Sequence, residues 1–392
     1  MTPIGRAASL CGGAAGGAGG ERAPASGGRL PRAPGRLGYR WPAEWEPHRA
    51  TWLSWPHNRQ TWPDCLEEVE DAFCEIVRAL LPDEAVEIHV SDRRMEEHVR
   101  HRLAGAGVGS PERIRFHAVP TDDAWIRDHG GVFVVGPPDA ATPLQLVDFE
   151  FDAWGGKYPP WDRDAAVPAA MAARRGVPRF EAGFVLEGGS IEGDGEGTIL
   201  TTESCLLNPN RNRPGRDRSR ESLEHGLSEI LGARKILWLA EGIEGDDTDG
   251  HIDDITRFVG PGRVLTLVEP DEKDPNRRAL MENRRRLEAM TDARGRRLEV
   301  IDLPTPGSIE GPDGRLPASY ANFYIANRGV LLPVFGVDAD REAIRILEHC
   351  LPDRPVLPIP SRALVRGLGA VHCLTQQEPA LPVGPLDETP PA

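Results

Sequence analysis

The sequence has no C-x-x-C pair and no H-E-x-x-H segment among its 392 residues. These absences argue against a zinc ribbon, a thioredoxin-type dithiol and a zincin protease. No apolar run approaches the ~18 to 20 residues that a membrane-spanning helix needs. Positive charge is short relative to negative, 46 Lys and Arg against 61 Asp and Glu, for a net charge of -15. That balance disfavours nucleic acid and anionic membranes as partners and suits a cationic small molecule. The six cysteines are too few and too scattered for a disulfide framework in a chain this long. A reducing, cytoplasmic compartment is the expectation.

What is present divides at about residue 38. Residues 1–38 are rich in Gly, Ala, Pro and Arg, with Glu21 alone among acids against five arginines. Such a segment has too little apolar area to order itself. It reads as a disordered low-complexity tail or a transit peptide, and lacks the apolar centre of a secretory signal. A single folded domain is expected over 39–392, large enough to bury a sizeable core.

Within that domain one pattern recurs. Five segments carry helical apolar periodicity: 66–81, 164–176, 217–232, 276–291 and 340–351. Each is followed by a short strand-like run: AVEIHV, VPRFE, KILWLA, LEVIDL and PVLPI. Hairpin-like stretches with turn signals lie between, at Asp194-Gly195, Gly260-Pro261-Gly262 and Asn327-Arg328-Gly329. Polar clusters open these units at Asp128, Glu187, His251, Tyr320 and Cys373, spaced 59, 64, 69 and 53 residues apart. A period of that size suits a closed repeat architecture of ββαβ-type units whose equivalent ends converge. The competing topology is a doubly wound α/β sheet.

The clusters make a chemical shortlist. DDAWIRDHGG surrounds Trp125 and Arg127 with Asp122, Asp123 and Asp128; EGGS begins at Glu187; EGDDTDGHIDD holds His251 among six acids; VHC ends in Cys373. Taken singly, each is ordinary: an acid beside a glycine is usually a turn former and a lone cysteine usually core filler. Together they have a common use. A thiolate nucleophile needs a base or cation nearby, and a histidine can shuttle protons to a leaving group. Several carboxylates in one pocket need a cation between them, and a guanidinium pairs with carboxylates through two-pronged hydrogen bonds. An aromatic face such as Trp125 can cover that cation. Divalent metal on Asp246, Asp247, Asp249, His251, Asp253 and Asp254 is the rival reading of the acidic loop, and leaves Cys373 without a role.

The segments WPAEWEPHRATWLSWPHN, DDAWIRDHG, EGGSIEGDGEGTILTTESCLLNPNRN, GDDTDGHIDDITRFV, SYANFYIANRGVLLPVFG and VHCLTQQEP occur in order between Trp41 and Pro379. Together they resemble the agmatine deiminase family, which includes the bacterial peptidyl-arginine deiminase type and belongs to the guanidino-group-modifying superfamily. The resemblance implies a five-bladed, pseudo-symmetric α/β propeller with its site on the axis. It implies hydrolysis of agmatine to N-carbamoylputrescine and ammonia through a covalent cysteine intermediate, a step toward putrescine, with neither metal nor organic cofactor.

By the same resemblance Cys373 is the nucleophile and His251 the general acid/base. Asp128 and Asp253 grip the guanidinium, Glu187 positions substrate and histidine, and Trp125 forms a pocket wall. Asp247 stands where agmatine-type members place an acid for the substrate's distal amine. Two departures stand out: GLGAV precedes His372 where the family has a glycine run, and Gly131 replaces a usual proline beyond the RDH segment. The alternatives are deimination of peptidyl or free arginine, whose carboxylate would want a Lys or Arg, and a non-catalytic guanidine- or polyamine-binding protein. A homo-oligomer is compatible with all three.

Overall fold

The computed structural model describes residues 32–81, 83–211 and 217–381. Most of the expected tail therefore lies outside the described residues. Its last part does not. Pro34–Leu37 form a 3-10 turn, and Gly35 packs so tightly on the Ser228 and Glu229 carbonyls that a Cβ would clash. The described fold thus begins before Tyr39, because a glycine and a proline, poor in apolar area, suffice to seat a turn on a helix end.

The secondary structure is α/β and comes as five separate small sheets plus one short hairpin, Glu310–Gly311 with Gly314–Arg315. Four sheets share one plan. A first strand pairs antiparallel with a second, and the second pairs parallel with a third across a helical connection. The sets are Val132–Val135, Leu144–Glu150 and Arg179–Val185; Glu192–Gly193, Thr198–Thr202 and Lys235–Leu239; Thr256–Gly260, Arg263–Val268 and Glu299–Pro304; and Tyr324–Ile325, Val330–Val334 and Val356–Pro360.

The remaining sheet keeps the plan but draws on both ends of the chain. Gln376–Pro379 pairs antiparallel with His48–Ser54, with Trp52 opposite Gln376, and His48–Ser54 pairs parallel with Ala85–Val90. Ile114–Ala118 adds a fourth strand. Its polar sequence hides the Gln376–Pro379 strand from pattern reading, yet all four residues are buried. No continuous doubly wound sheet occurs among the described residues.

The helices follow the apolar spacing. Leu66–Leu80 buries Val69, Phe73, Ile76, Val77 and Leu80, a stripe recurring every three or four residues. Full burial of each such side chain contributes roughly 1.5–3 kcal/mol. Asn276–Ala289 and Ala339–Cys350 lie within two residues of expectation. Arg220–Leu231 starts where Ser219 caps the Ser222 amide. The expected helix over 164–176 is broken into Asp162–Ala165 and Val167–Arg175, since Pro168 cannot continue a preceding turn. One helix, Arg93–Gly105, escapes sequence periodicity because it buries only Val99 and Leu103.

The repeat explains the spacing of the polar clusters. Asp128, Glu187, His251, Tyr320 and Cys373 each stand three to five residues before the first strand of a sheet, though Tyr320 itself donates to Asp340 and Asn322, two residues on, is the one that faces Cys373. Each is thus delivered by the same position of a repeated unit.

Candidate active site

The loop before Gln376–Pro379 carries Cys373 at the end of a cavity of about 910 Å³. Its side chain is nearly buried, at 5 % exposure. Asn322 Nδ2 lies 3.1 Å from Sγ and also donates to Asp254 Oδ1 at 3.0 Å, while Asn322 Oδ1 accepts the His372 backbone N–H. The nearest Asp253 oxygen is 3.7 Å from Sγ. Burial, reinforced by Asp253, Asp254 and Asp128, raises the Cys373 pKa well above that of an ordinary thiol. Without a cation beside it, Cys373 is therefore a thiol at neutral pH.

His251, from the acidic loop, faces two of the other unit openings. Its Nδ1 is 3.7 Å from Asp128 Oδ1 and its Nε2 is 3.9 Å from Glu187 Oε2. Burial works against a charge on the ring. Asp128, contact with the Cys205 thiol and Asp253 outweigh it and raise the pKa well above the ordinary histidine value. Asp128 accepts from the Gly189 amide and from Trp154 Nε1, both at 2.9 Å. Its pKa is raised, chiefly by burial, with His251 opposing and Asp253 and Glu187 adding. Gly189 is needed here for room: a Cβ would lie 2.6 Å from His251 Nδ1 and 2.8 Å from Asp128 Oδ1.

Beneath these groups is a buried charge network. His372 presents Nδ1 to Asp253 Oδ2 at 2.6 Å and Nε2 to Glu44 Oε2 at 2.8 Å. Glu44 Oε1 accepts from Arg257 at 2.8 Å and from the Ile325 amide at 2.7 Å. Arg127 donates to Gln377 Oε1 and to the His372 carbonyl, and its own amide donates to the Cys373 carbonyl. Burial would raise the Asp253 pKa, but the His372 hydrogen bond and the charges of His372, His251 and Arg257 hold it below the usual value. Asp253 thus stays a carboxylate next to the thiol. One of its oxygens, Oδ1, has no hydrogen-bond partner, nor do Glu187 Oε2 and either His251 ring nitrogen, among the described residues.

The structure brings Cys373, His251, Asp128, Asp253 and Glu187 together. Trp125 lines the cavity beside Cys373, its ring 5.2 Å from that of Trp62. Gly369 abuts Trp125 too closely for a Cβ, and Gly367 abuts Trp62 likewise. Leu368 between them adopts a left-handed φ of 70°, at a cost of ~1–2 kcal/mol. The GLGAV departure therefore keeps glycine where space demands it and spends strain where it does not. Asp247 lies in the cavity lining, apart from the buried cluster, with its side chain 42 % exposed. There it is paired with Lys157 and accepts from Tyr158.

Several participants were not singled out from the sequence. Glu44, Asn322 and His372 sit inside quoted motifs but carry no spacing signal, because their side-chain partners there are between 50 and 328 residues away. Arg211 is fully buried and joins Glu187, at 3.0 Å, to the acidic loop through Asp249 and the Thr248 carbonyl. Cys205 Sγ, a Glu187 oxygen and a His251 nitrogen lie within 4.8 Å of one another, as do atoms of Asp253, Asp254 and Cys373. Either trio is close enough to hold a cation, though both include residues of the cluster just described. The acids of the loop itself are otherwise engaged. Asp246 accepts from the Thr248 and Gly250 amides, and Asp249 from Asn210 and Arg211.

The Porphyromonas-type peptidyl-arginine deiminase family matches residues 40–379. An agmatine deiminase of Ectopseudomonas mendocina is 40 % identical over 366 residues, covering 88 % of this chain and 96 % of that protein. One from Medicago truncatula is 38 % identical over 374 residues, covering 88 % and 97 %. The solved agmatine deiminase of Enterococcus faecalis superposes with a TM-score of 0.82 at 34 % identity, covering 89 % of this chain and 98 % of that one. With the cysteine, histidine and three acids gathered in one place, this chain belongs to the Porphyromonas-type peptidyl-arginine deiminase family and groups with its agmatine deiminase relatives.

Proposed function

We propose that the protein is an agmatine deiminase, hydrolysing the guanidino C–N bond of agmatine to give N-carbamoylputrescine and ammonia. The observation that carries this reading is the set of buried acceptors around Cys373. Asp253 Oδ1 and Glu187 Oε2 accept no hydrogen bond among the described residues, and Asp128 adds a third carboxylate. A planar cation with several N–H donors satisfies such a set. A buried acceptor oxygen left without a donor is otherwise unfavourable.

The chemistry follows from the two raised pKa values. The free enzyme holds Cys373 as thiol and His251 as imidazolium. A guanidinium seated between Asp128 and Asp253 offsets their charge, and the thiol proton departs to solvent through the cavity. The thiolate attacks the guanidinium carbon, forming a C–S bond and a tetrahedral adduct. His251 gives its proton to one amino group, the C–N bond breaks and ammonia leaves, with an amidino-thioether remaining on Cys373. Neutral His251 then takes a proton from water as its oxygen bonds to the same carbon. Collapse breaks the C–S bond, yields the ureido product and restores the thiolate. Glu187, anchored by Arg211, positions His251, and Trp125 walls the guanidinium plane.

The five sheet units, each presenting one polar opening to this cluster, support a closed five-bladed α/β propeller. The stretch from Tyr39 onward acts as one catalytic domain. The five buried free thiols Cys65, Cys74, Cys205, Cys350 and Cys373 fit a reducing, cytoplasmic compartment. Asp247 receives the distal amine of the substrate. The Lys157 contact with Asp247 favours a second reading, deimination of an arginine whose tail carries a carboxylate. Ammonia release measured side by side from agmatine, free arginine and an arginine peptide decides between them. Formation of N-carbamoylputrescine from agmatine is the expected result, and no ammonia from any of the three would refute the enzyme reading.

A further inference from the structure

Lys157 follows the turn after Leu144–Glu150, in which Trp154 takes a left-handed φ of 57°. Its Nζ is 3.2 Å from Asp247 Oδ1 and 3.0 Å from Asp249 Oδ1, and it donates to the Asp247 carbonyl as well. Tyr158 donates its hydroxyl to the other Asp247 oxygen. One dipeptide thus engages both oxygens of that carboxylate. Asp249 is held from its far side by Arg211 and Asn210, so the lysine docks on a fixed acid. The same turn sends Trp154 Nε1 to Asp128 at the other end of the site. Lys157, Tyr158, Asp247, Asp128 and Cys373 line one cavity.

An amine-tailed substrate reaching Asp247 would find an ammonium already there. The electrostatic gain from its own ammonium is then only the difference between two similar ion pairs. A tail ending in carboxylate, by contrast, meets a cation, and a methyl tail is indifferent. Agmatine, arginine and butylguanidine share the guanidinium and differ at this end, which is an ammonium in the first, an ammonium beside a carboxylate in the second and a methyl in the third.

We propose that Lys157 is a specificity-determining residue: its ammonium occupies the carboxylate that would take a substrate's distal amine, and so narrows the preference for amine-tailed over carboxylate-tailed guanidines. The inference rests on the deiminase reading with Asp247 at the tail end. The pair is partly exposed, 27 % for Lys157 and 42 % for Asp247. Its effect is therefore roughly three- to fivefold, the upper part of the range for a screened ion pair.

The test is kcat/KM for agmatine, butylguanidine and arginine, by ammonia release, in the native protein and in Lys157→Met. Agmatine should rise roughly three- to fivefold, butylguanidine stay within about twofold, and arginine, whose α-ammonium opposes its carboxylate, change less than agmatine, so that the agmatine-to-arginine ratio rises. Lys157→Arg should keep the native order. Lys157→Gln, which preserves hydrogen bonding but not charge, serves if the methionine variant folds poorly and should shift the order the same way. Equal changes on all three substrates would mean that Lys157 only shapes the turn, and would overturn the proposal. So would an agmatine-to-arginine ratio untouched by loss of the charge. A native protein that releases no ammonia from any guanidine would instead overturn the deiminase reading.

Discussion

The buried network behind Cys373, the floor of the site, and the cavity lining at Asp247 and Lys157, its mouth, are built on opposite principles. At the floor, Asp253, His372, Glu44 and Arg257 are buried and bonded to one another from three different parts of the chain. At the mouth, Asp247 and Lys157 are half in solvent and belong to loops. Charges at the floor are poorly screened, so each group depends on its partner and loss of one is severe. Charges at the mouth are screened, so they shift preference without deciding whether reaction occurs. The floor thus sets the reaction class, and the mouth selects among guanidines.

The comparison breaks most visibly at Cys373. Cys373→Ser should abolish ammonia release, a loss of more than about a thousandfold, while agmatine still binds by calorimetry, since the carboxylates supply the affinity. Detectable steady-state turnover by this variant would remove the cysteine from the mechanism. Gly189→Ala should come close to it, because the added methyl pushes between His251 and Asp128. The expected signature is a large fall in kcat together with a loss of stability of about 1–3 kcal/mol, the usual cost of overpacking a buried site.

Next is the network itself. Glu44→Gln removes one charge partner each from His372, Arg257 and Arg127, of which His372 keeps Asp253 and Arg257 keeps Glu192, and should lower stability by about 1–3 kcal/mol. Chemical denaturation reads it. A loss below about 1 kcal/mol would show that the floor is wetter or looser than its hydrogen bonds indicate.

The ionisation of the thiol sharpens the contrast by reagent charge. Because burial and three carboxylates raise the Cys373 pKa, a neutral alkylator such as iodoacetamide should react slowly at pH 7 and speed up only as pH passes the ordinary thiol range, about 8.5. A cationic haloacetamidine brings its own charge and should label Cys373 at neutral pH, with agmatine protecting. Similar rates for both reagents at pH 7 would mean the thiolate exists without a bound cation. Labelling that maps chiefly to Cys65, Cys74 or Cys350 would mean the wrong thiol has been assigned.

The mouth should give the smaller effect. Asp247→Asn should raise KM for agmatine by up to about fivefold with less change for butylguanidine. Equal losses on both would leave Asp247 as a loop former only. Smallest of all is the chain start. Extending a truncation from residue 31 to residue 38 removes the turn seated on Arg220–Leu231 and should cost about 1 kcal/mol in thermal unfolding.

Much of this protein was legible in one dimension. Apolar spacing marked the helices over Leu66–Leu80, Asn276–Ala289 and Ala339–Cys350, because a face that packs on a sheet must repeat every three or four residues. Turn residues marked the hairpins, and the order of polar clusters marked Asp128, Glu187, His251 and Cys373. Local chemistry left no such trace of Arg93–Gly105, which buries too little, or of Gln376–Pro379, whose polar side chains are buried by their surroundings. Nor did it disclose Glu44 and Asn322. Their roles exist only because hydrogen bonds to His372 and Cys373 cross 328 and 51 residues of sequence. Residue type and period are properties of neighbours along the chain, so the sequence determined the units and the kind of chemistry they carry. Ionisation and substrate preference are properties of neighbours in space. Only the tertiary structure could set the Cys373 thiol among three carboxylates and seat Lys157 on Asp247.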